Sequence, residues 1–180
     1  MRYAKIRKTD ISNGPGIRVS IFVQGCHFHC KGCFNADTWD FNGGKEFTED
    51  TLNTLLDLCK NEHIRGLSIL GGEPLTEENR SQVLDIILEF KNHFPEKDIW
   101  MWTGYKFDDL LNQLNKLSKE PIKKNFYTLF NILNNLDILV DGQFEIDKAD
   151  PNLKYRGSAN QRVIDVKKTL QNQEITLYNN

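Results

Sequence analysis

Strand-like runs alternate with helix-like runs along most of this 180-residue chain. Four runs rich in β-branched and aromatic residues predict strands: GIRVSIFVQG (16–25), GLSIL (66–70), DIWMW (98–102) and DILV (137–140). Apolar residues at helical spacing predict helices in FTEDTLNTLLDLCKN, in the segment between Thr76 and Pro95, in FDDLLNQLNKL and in FYTLFNILNNL, with Thr48 and Thr76 as N-caps. This alternation is typical of parallel strands joined by helical crossovers and indicates an α/β fold.

Each predicted strand runs into a polar or glycine-rich sequence at its carboxyl end: GCHFHCKGC, GGEP, TGY and DGQ. Ligands of α/β sheets and barrels bind at these ends. Because a closed eight-fold barrel takes about 250 residues, this shorter chain predicts an open, partial (β/α) barrel. We expect five to six mostly parallel strands in a single domain spanning residues 1–180. Two further strand-like runs, RVIDV and EITLY, would form a terminal hairpin or two added strands.

Composition and charge argue against several classes of function. The net charge is −2 and the isoelectric point is about 6.1, which favours neither nucleic acid nor an acidic membrane as a partner. No apolar run approaches the roughly 20 residues of a membrane span, and the charged start, MRYAKIRKTD, is unlike a signal peptide. We therefore expect a protein of the reducing cytoplasm, where clustered thiols bind metals or act in redox chemistry.

Three of the four cysteines fall within eight residues directly after the first predicted strand: Cys26, Cys30 and Cys33. Thiolates at the spacing C-x3-C-x2-C select soft metals, namely zinc, copper(I) or an iron–sulfur cluster. A cubane cluster usually takes four thiolates, so three would leave one iron open to a small molecule. A structural zinc site that adds His27 or His29, and a disulfide pairing, stay open as alternatives. Cys59 lies on the apolar face of a predicted helix, which favours a buried hydrophobic role over a ligand.

The cysteine spacing, with GGEP at the end of the second predicted strand, resembles the radical S-adenosylmethionine (SAM) enzymes. The similarity extends to DISNGPGIRVSIFVQGCHFHCKGCFN, LSILGGEPL, WMWTGY, DILVDGQFE and YRGSANQRVIDV, which together span nearly the whole chain. Within that superfamily these segments are similar to the glycyl-radical activating enzymes, and among those to the family that activates anaerobic ribonucleoside-triphosphate reductase. The fold that this resemblance implies is the open partial barrel of the radical SAM type.

The resemblance also implies cofactors, a partner and a reaction. Cys26, Cys30 and Cys33 would bind three irons of a [4Fe–4S] cluster, and SAM would chelate the fourth iron. An electron supplied by a low-potential donor such as flavodoxin would pass through the cluster and cleave SAM to methionine and a 5′-deoxyadenosyl radical. That radical would remove a hydrogen from a backbone glycine in the glycyl-radical subunit of the partner reductase.

The SAM site follows from the same resemblance, residue by residue. Gly71, Gly72 and Glu73 match the motif that holds the methionyl ammonium of SAM. Two glycines let the backbone approach closely, and a carboxylate accepts hydrogen bonds from an ammonium. Thr103 in TGY and Asp141 in DGQ match places where related activating enzymes contact SAM or the substrate backbone.

One position departs from the wider family. The residue before the third cysteine is often aromatic or bulky and lies by the adenine, whereas here it is Gly32. A backbone contact from Gly32 to the adenine stays open, and Phe34 or Phe28 would supply the apolar wall in its place. Arg156 and Arg162 flank GSANQ and either bind a carboxylate or the partner, or are solvated.

Residues 13–16, NGPG, either form part of the mouth through which the partner's glycine loop enters or make an ordinary tight turn. Two other functions compete with the reductase activator. One is a radical SAM enzyme acting on a small molecule or a different peptide glycine, against which YRGSANQRVIDV and the lack of a second cysteine cluster argue. The other is a zinc-binding interaction module, which would leave GGEP, TGY and DGQ unexplained.

Overall fold

A seven-stranded sheet organises the protein, whose computed structural model describes residues 1–179. The strands in that range are β1 (Arg2–Asp10), β2 (Ile17–Val23), β3 (Lys45–Glu46), β4 (Ile64–Gly71), β5 (Asp98–Trp102), β6 (Ile138–Asp141) and β7 (Arg162–Asp165). The α-helices are α1 (Glu49–Cys59), α2 (Glu77–His93), α3 (Phe107–Leu117), α4 (Lys124–Asn135) and α5 (Val166–Asn172). All four strands and all four helices predicted for the first 140 residues are therefore confirmed.

The strand order in the sheet is β3-β1-β2-β4-β5-β6-β7. The pairs β2–β4, β4–β5 and β5–β6 are parallel, and the pairs β1–β2, β1–β3 and β6–β7 are antiparallel. Within residues 1–179 the two outermost strands do not pair with each other, so the sheet is open. The α/β class and the parallel centre are confirmed, the expected five to six strands were too few, and a barrel form stays a prediction.

Two strands were not predicted from the sequence. The first is β1, whose sequence RYAKIRKTD is dominated by charge. It pairs antiparallel with β2, from Tyr3 opposite Val23 to Asp10 opposite Arg18. Lysine and arginine are common on strands near a sheet edge, where they discourage pairing with other chains. The second unpredicted strand, β3, is only two residues long and carries no pattern of its own.

The two faces of the sheet have different surroundings because successive residues of a strand point to opposite sides. On one face, alternate residues of β2 from Val19 to Val23 join a large apolar core with α1, α2, α3 and α4. On the other face Arg18 is fully buried, donates a hydrogen bond to Ser68 Oγ at 2.7 Å and forms an ion pair with Asp98. That second face therefore combines a buried ion pair with the apolar cluster of Trp100, Ile138 and Val140.

The helix starts and the C-terminal run depart in part from expectation. Thr48 caps α1 in a capping box with Thr51, as predicted, whereas the side chain of Thr76 makes no cap bond to α2. RVIDV forms β7, but EITLY contributes only one isolated bridge, between Ile164 and Leu177, because α5 intervenes. No helix among residues 1–179 has the length and apolar character needed to cross a membrane.

Candidate functional site: a cysteine-lined cavity

The carboxyl ends of β2, β4, β5 and β6 surround a cavity of about 510 Å³. All four strand-end sequences singled out above contribute to its wall, together with β1 and residues 153–157. Sites for small molecules and cofactors commonly have volumes of about 300–1,000 Å³. The four strand ends therefore meet at one cavity of ligand-binding size, and its use as a ligand site stays a prediction.

The three clustered cysteines lie on the wall of this cavity, all with free thiols. The start of their loop is held by the main chain, since Gly25 N donates to Thr38 O at 2.8 Å and Cys26 N to Trp39 O at 3.0 Å. Burial raises the pKa of the Cys26 thiol and of the Cys30 thiol. Soft thiol donors gathered on one cavity wall suit an iron–sulfur cluster.

The two histidines of the loop make contacts away from the thiols. His27 Nε2 lies 2.9 Å from Glu78 Oε1, and its ring packs on Phe41 with centroids 4.5 Å apart. His29 stacks on Trp39 at 4.7 Å. Among residues 1–179, no three histidine, cysteine, aspartate or glutamate side chains are grouped so as to hold a single metal ion.

The GGE motif is joined to the start of the cysteine loop by its backbone. Gly72 N donates to Val23 O at 2.8 Å, and Glu73 N donates to Gly25 O at 2.7 Å. A Cβ atom on Gly72 would lie 2.4 Å from Gly25 O, and Gly71 has a φ of +109°. Both glycines are thus required by the close approach of β4 to β2 as well as by any ligand.

The carboxylate of Glu73 is buried and connects the ends of two strands. Its Oε1 accepts from Leu75 N and from Thr103 Oγ1, each at 2.8 Å, and its Oε2 accepts from Gly104 N at 2.7 Å. Burial raises the pKa of Glu73 to about 7, although these three donors and the charge of Arg80 act in the opposite direction. Glu73 and Thr103 both line the cavity, and their part in a SAM site stays a prediction.

The candidate adenine-side residues lie in different environments. Phe34 lines the cavity with 78% of its surface exposed and packs on Phe144, whereas Phe28 lines it while packing edge-on against Tyr105. Gly32 lies on the loop outside the lining, where a Cβ atom would meet Ile146 Cδ1 at 2.5 Å. The glycine at this position therefore makes room for a neighbouring side chain.

Asp141 has a structural environment rather than a place on the cavity wall. Its buried carboxylate accepts from Phe107 N at the start of α3 and is paired with Arg162, which also pairs with Asp108. The next two residues, 142 and 143, do line the cavity. Arg162 is thus not a free, solvated arginine, which answers the question that the sequence left open for it.

Arg156 lines the cavity and donates from Nη1 to Gln161 O at 2.5 Å. Asn13 of the NGPG segment also reaches the lining, and its side chain is held by the carboxylate of Asp10.

Cys59 is fully buried in the helical core, where burial raises the pKa of its thiol to about 12. The interpretation of Cys59 as a small core residue is confirmed.

Sequence reasoning missed two cations on the cavity wall, Lys5 and Arg7 of β1. Both stand over the ring of Phe22, with the Lys5 ammonium at 4.6 Å and the Arg7 guanidinium at 4.8 Å from its centroid. They alternate along β1 and so point to one face. That alternation was the signal available in RYAKIRK, but it is obscured by the charge of the whole segment.

Residues 12–164 match the family described as a 4Fe-4S single cluster domain, which supports an iron–sulfur cluster as the cofactor of this fold. Three proteins, each termed anaerobic ribonucleoside-triphosphate reductase-activating protein, are similar to nearly the whole chain. The one from Enterobacteria phage T4 is 39% identical over 91% of this chain and 93% of its own length. Those from Vibrio cholerae and Escherichia coli K12 are 39% and 36% identical, over 89% and 91% of this chain and 96% and 97% of their own lengths. The chain belongs to this family of activating proteins.

Proposed function

We propose that this chain is a radical SAM activase that reductively cleaves SAM and generates a glycyl radical on an anaerobic ribonucleoside-triphosphate reductase. The observation that carries the proposal is the meeting of three free thiols and the GGE motif on one cavity wall at the strand ends. The names of the relatives, which describe activators of that reductase, support the choice of partner.

The residues present fit the proposed cofactors. Cys26, Cys30 and Cys33 would hold three irons of a [4Fe–4S] cluster and leave the fourth open, because no further cysteine lines the cavity within residues 1–179. When bound, the cluster supplies the electron that breaks SAM into methionine and a 5′-deoxyadenosyl radical. The cavity is large enough for a nucleoside with an amino-acid arm.

The side chains around the cavity would orient SAM. Gly71, Gly72 and Glu73 would receive its amino group, with the carboxylate of Glu73 kept in place by Thr103 Oγ1 and Gly104 N. A carboxylate already holding three donors cannot rotate freely, so it offers a ligand a fixed acceptor direction. Phe34 and Phe28 would flank the adenine.

The substrate glycine must reach the cavity from outside, because hydrogen transfer requires reacting atoms about 3–3.5 Å apart. Asn13 and the exposed ring of Phe34 lie on the lining and would border the entering segment of the reductase. A low-potential donor such as flavodoxin would supply the electron, and the reducing cytoplasm would keep the cysteines from pairing as disulfides.

A reductase deuterated at its glycine should transfer deuterium into 5′-deoxyadenosine. A short peptide copy of the glycine loop that transfers none would show that docking beyond the loop is required.

The first test is an anaerobic one. The protein is reconstituted with iron and sulfide, given SAM and a strong reductant, and assayed for 5′-deoxyadenosine. We expect product from the wild type and from Cys59→Ala, whose cysteine lies in the core, and none from Cys30→Ala. A colourless wild type that retains zinc and forms no product would refute the proposal.

A further inference from the structure

Asn79 links the two segments of the proposed site, the cysteine loop and the GGE motif. It lies in the first turn of α2 with 1% of its surface exposed. Its side-chain Nδ2 donates to Gln24 O at 2.9 Å and to Glu73 O at 3.0 Å. The first carbonyl directly precedes the cysteine loop, and the second belongs to the GGE motif.

The amide is the chemical group that this bridge requires. An asparagine NH2 carries two hydrogens, and here each meets one carbonyl oxygen. The carbonyl of Glu73 has only weaker alternatives, since Thr76 N and Thr76 Oγ1 both lie 3.4 Å from it. Because Asn79 is buried, loss of its side chain would leave the Gln24 carbonyl without that partner away from water.

The bridge adds to a ladder between the same two segments. Gly72 N and Glu73 N already bond to Val23 O and Gly25 O. Those bonds hold the amide side of Gly72 and Glu73 against the start of the cysteine loop. Asn79 adds a link from the carbonyl side of Glu73 to the carbonyl of residue 24, so both sides of the Glu73 backbone are tied to the same segment.

We propose that Asn79 is a positioning residue that sets the GGE motif at the correct distance from the cysteine loop, so that one SAM molecule can reach both. The inference rests on the proposed function above. Asn79 touches neither cofactor itself; it acts through the Gln24 and Glu73 carbonyls. Its effect is therefore on SAM binding and on how SAM meets the cluster, and not on whether the cluster assembles.

The test compares reconstituted wild type with Asn79→Ala, which removes both hydrogen bonds, and Asn79→Asp, which turns an oxygen towards two carbonyl oxygens at nearly constant shape. The readouts are iron and sulfide content, SAM affinity, and the change that SAM causes in the electron paramagnetic resonance spectrum of the reduced cluster. We expect full cluster content in both variants. SAM should bind at least tenfold more weakly, with a smaller spectral change, and Asn79→Asp should be the more affected.

Two controls separate positioning from general destabilisation. Val83→Ala removes core packing from the same helix while leaving both hydrogen bonds of Asn79 in place, and Asn135→Asp makes the same chemical change at an amide that bonds Asn131 O within α4. Both should bind SAM as the wild type does. Wild-type SAM affinity and spectral response in Asn79→Ala would overturn the inference, as would loss of its cluster. A wild type that itself binds no SAM would refute the proposed function, whichever result the variants give.

Discussion

The buried carboxylate of Glu73 should make the stability of the protein depend on pH in a way that one substitution removes. Its pKa rises from an ordinary 4.5 to about 7 because the group is withdrawn from water. In the unfolded chain the carboxyl loses its proton near the ordinary value, whereas in the folded protein it keeps the proton up to about pH 7. The contribution of this group to stability is therefore complete below pH 4.5, falls as the pH rises through this window, and is constant above it.

The size of the effect follows from the two pKa values. The difference between 4.5 and about 7 corresponds to about 3 kcal/mol in the free energy of unfolding. Between pH 5 and pH 8 the part that is observed is about 2.5 kcal/mol, because the unfolded carboxyl is already partly ionised at pH 5. The cluster-free protein is the right material, since the buried carboxylate there has only its protein donors.

The perturbation is Glu73→Gln, and the assay is urea unfolding followed by circular dichroism at several pH values from 5 to 8. From pH 5 to pH 8 the free energy of unfolding should fall by about 2.5 kcal/mol more in the wild type than in the variant. The variant's stability will also differ at every pH because its NH2 must face a donor, the N–H of either Gly104 or Leu75, so the slope is the test and not the level. Glu120→Gln, in the exposed segment after α3, should follow the wild type. Parallel curves for wild type and Glu73→Gln would refute the reasoning.

Two further substitutions test the structural roles assigned outside the cavity. Cys59→Ala should lower the free energy of unfolding by about 1 kcal/mol, because a small space is left in the core. Iron analysis of this variant should still find a full cluster, and loss of iron would make Cys59 a ligand. Arg162→Met leaves the buried carboxylate of Asp141 without its cation and should destabilise the fold by about 3 kcal/mol in urea unfolding. Unchanged stability combined with weaker SAM binding would instead place the Asp141–Arg162 pair in the ligand site.

Most of the fold could be predicted because local patterns and packing agree. β5 (Asp98–Trp102) and α3 (Phe107–Leu117) have the bounds that the sequence indicated, since β5 is a short apolar run and α3 has apolar residues at helical spacing. β1 was not predicted because its charged sequence has no strand pattern. It forms a strand through its pairing with β2, which depends on tertiary context. In RVIDVKKTLQN the strand pattern runs on past residue 165, where Asp165 instead caps α5 by accepting from Lys168 N.

The candidate site likewise has a part that could be predicted from the sequence and a part that could not. The thiols could be found because their spacing within one short segment is itself the signal, and the GGE motif because it follows a predicted strand in a sequence that resembles a known family. The rule that ligands bind at strand ends brought TGY and DGQ to the cavity, but it predicts a position along the strand and not the direction of a side chain. Thr103 consequently lies on the cavity wall, while the Asp141 carboxylate is bonded to Phe107 N and Arg162.

Asn79 could not be found from the sequence, because it acts through backbone atoms of other segments. Asn79 bonds two carbonyls that are 49 positions apart in the chain, and a lone asparagine in a helix start has no motif that would reveal this. Glu73 joins β4 to β5 in the same indirect way, through Gly104 N. The site is consequently built less from loops than from three strand ends bonded to each other. A shift at any one of them changes the distance between the thiols and the GGE motif, which is the distance that a single SAM molecule would have to span.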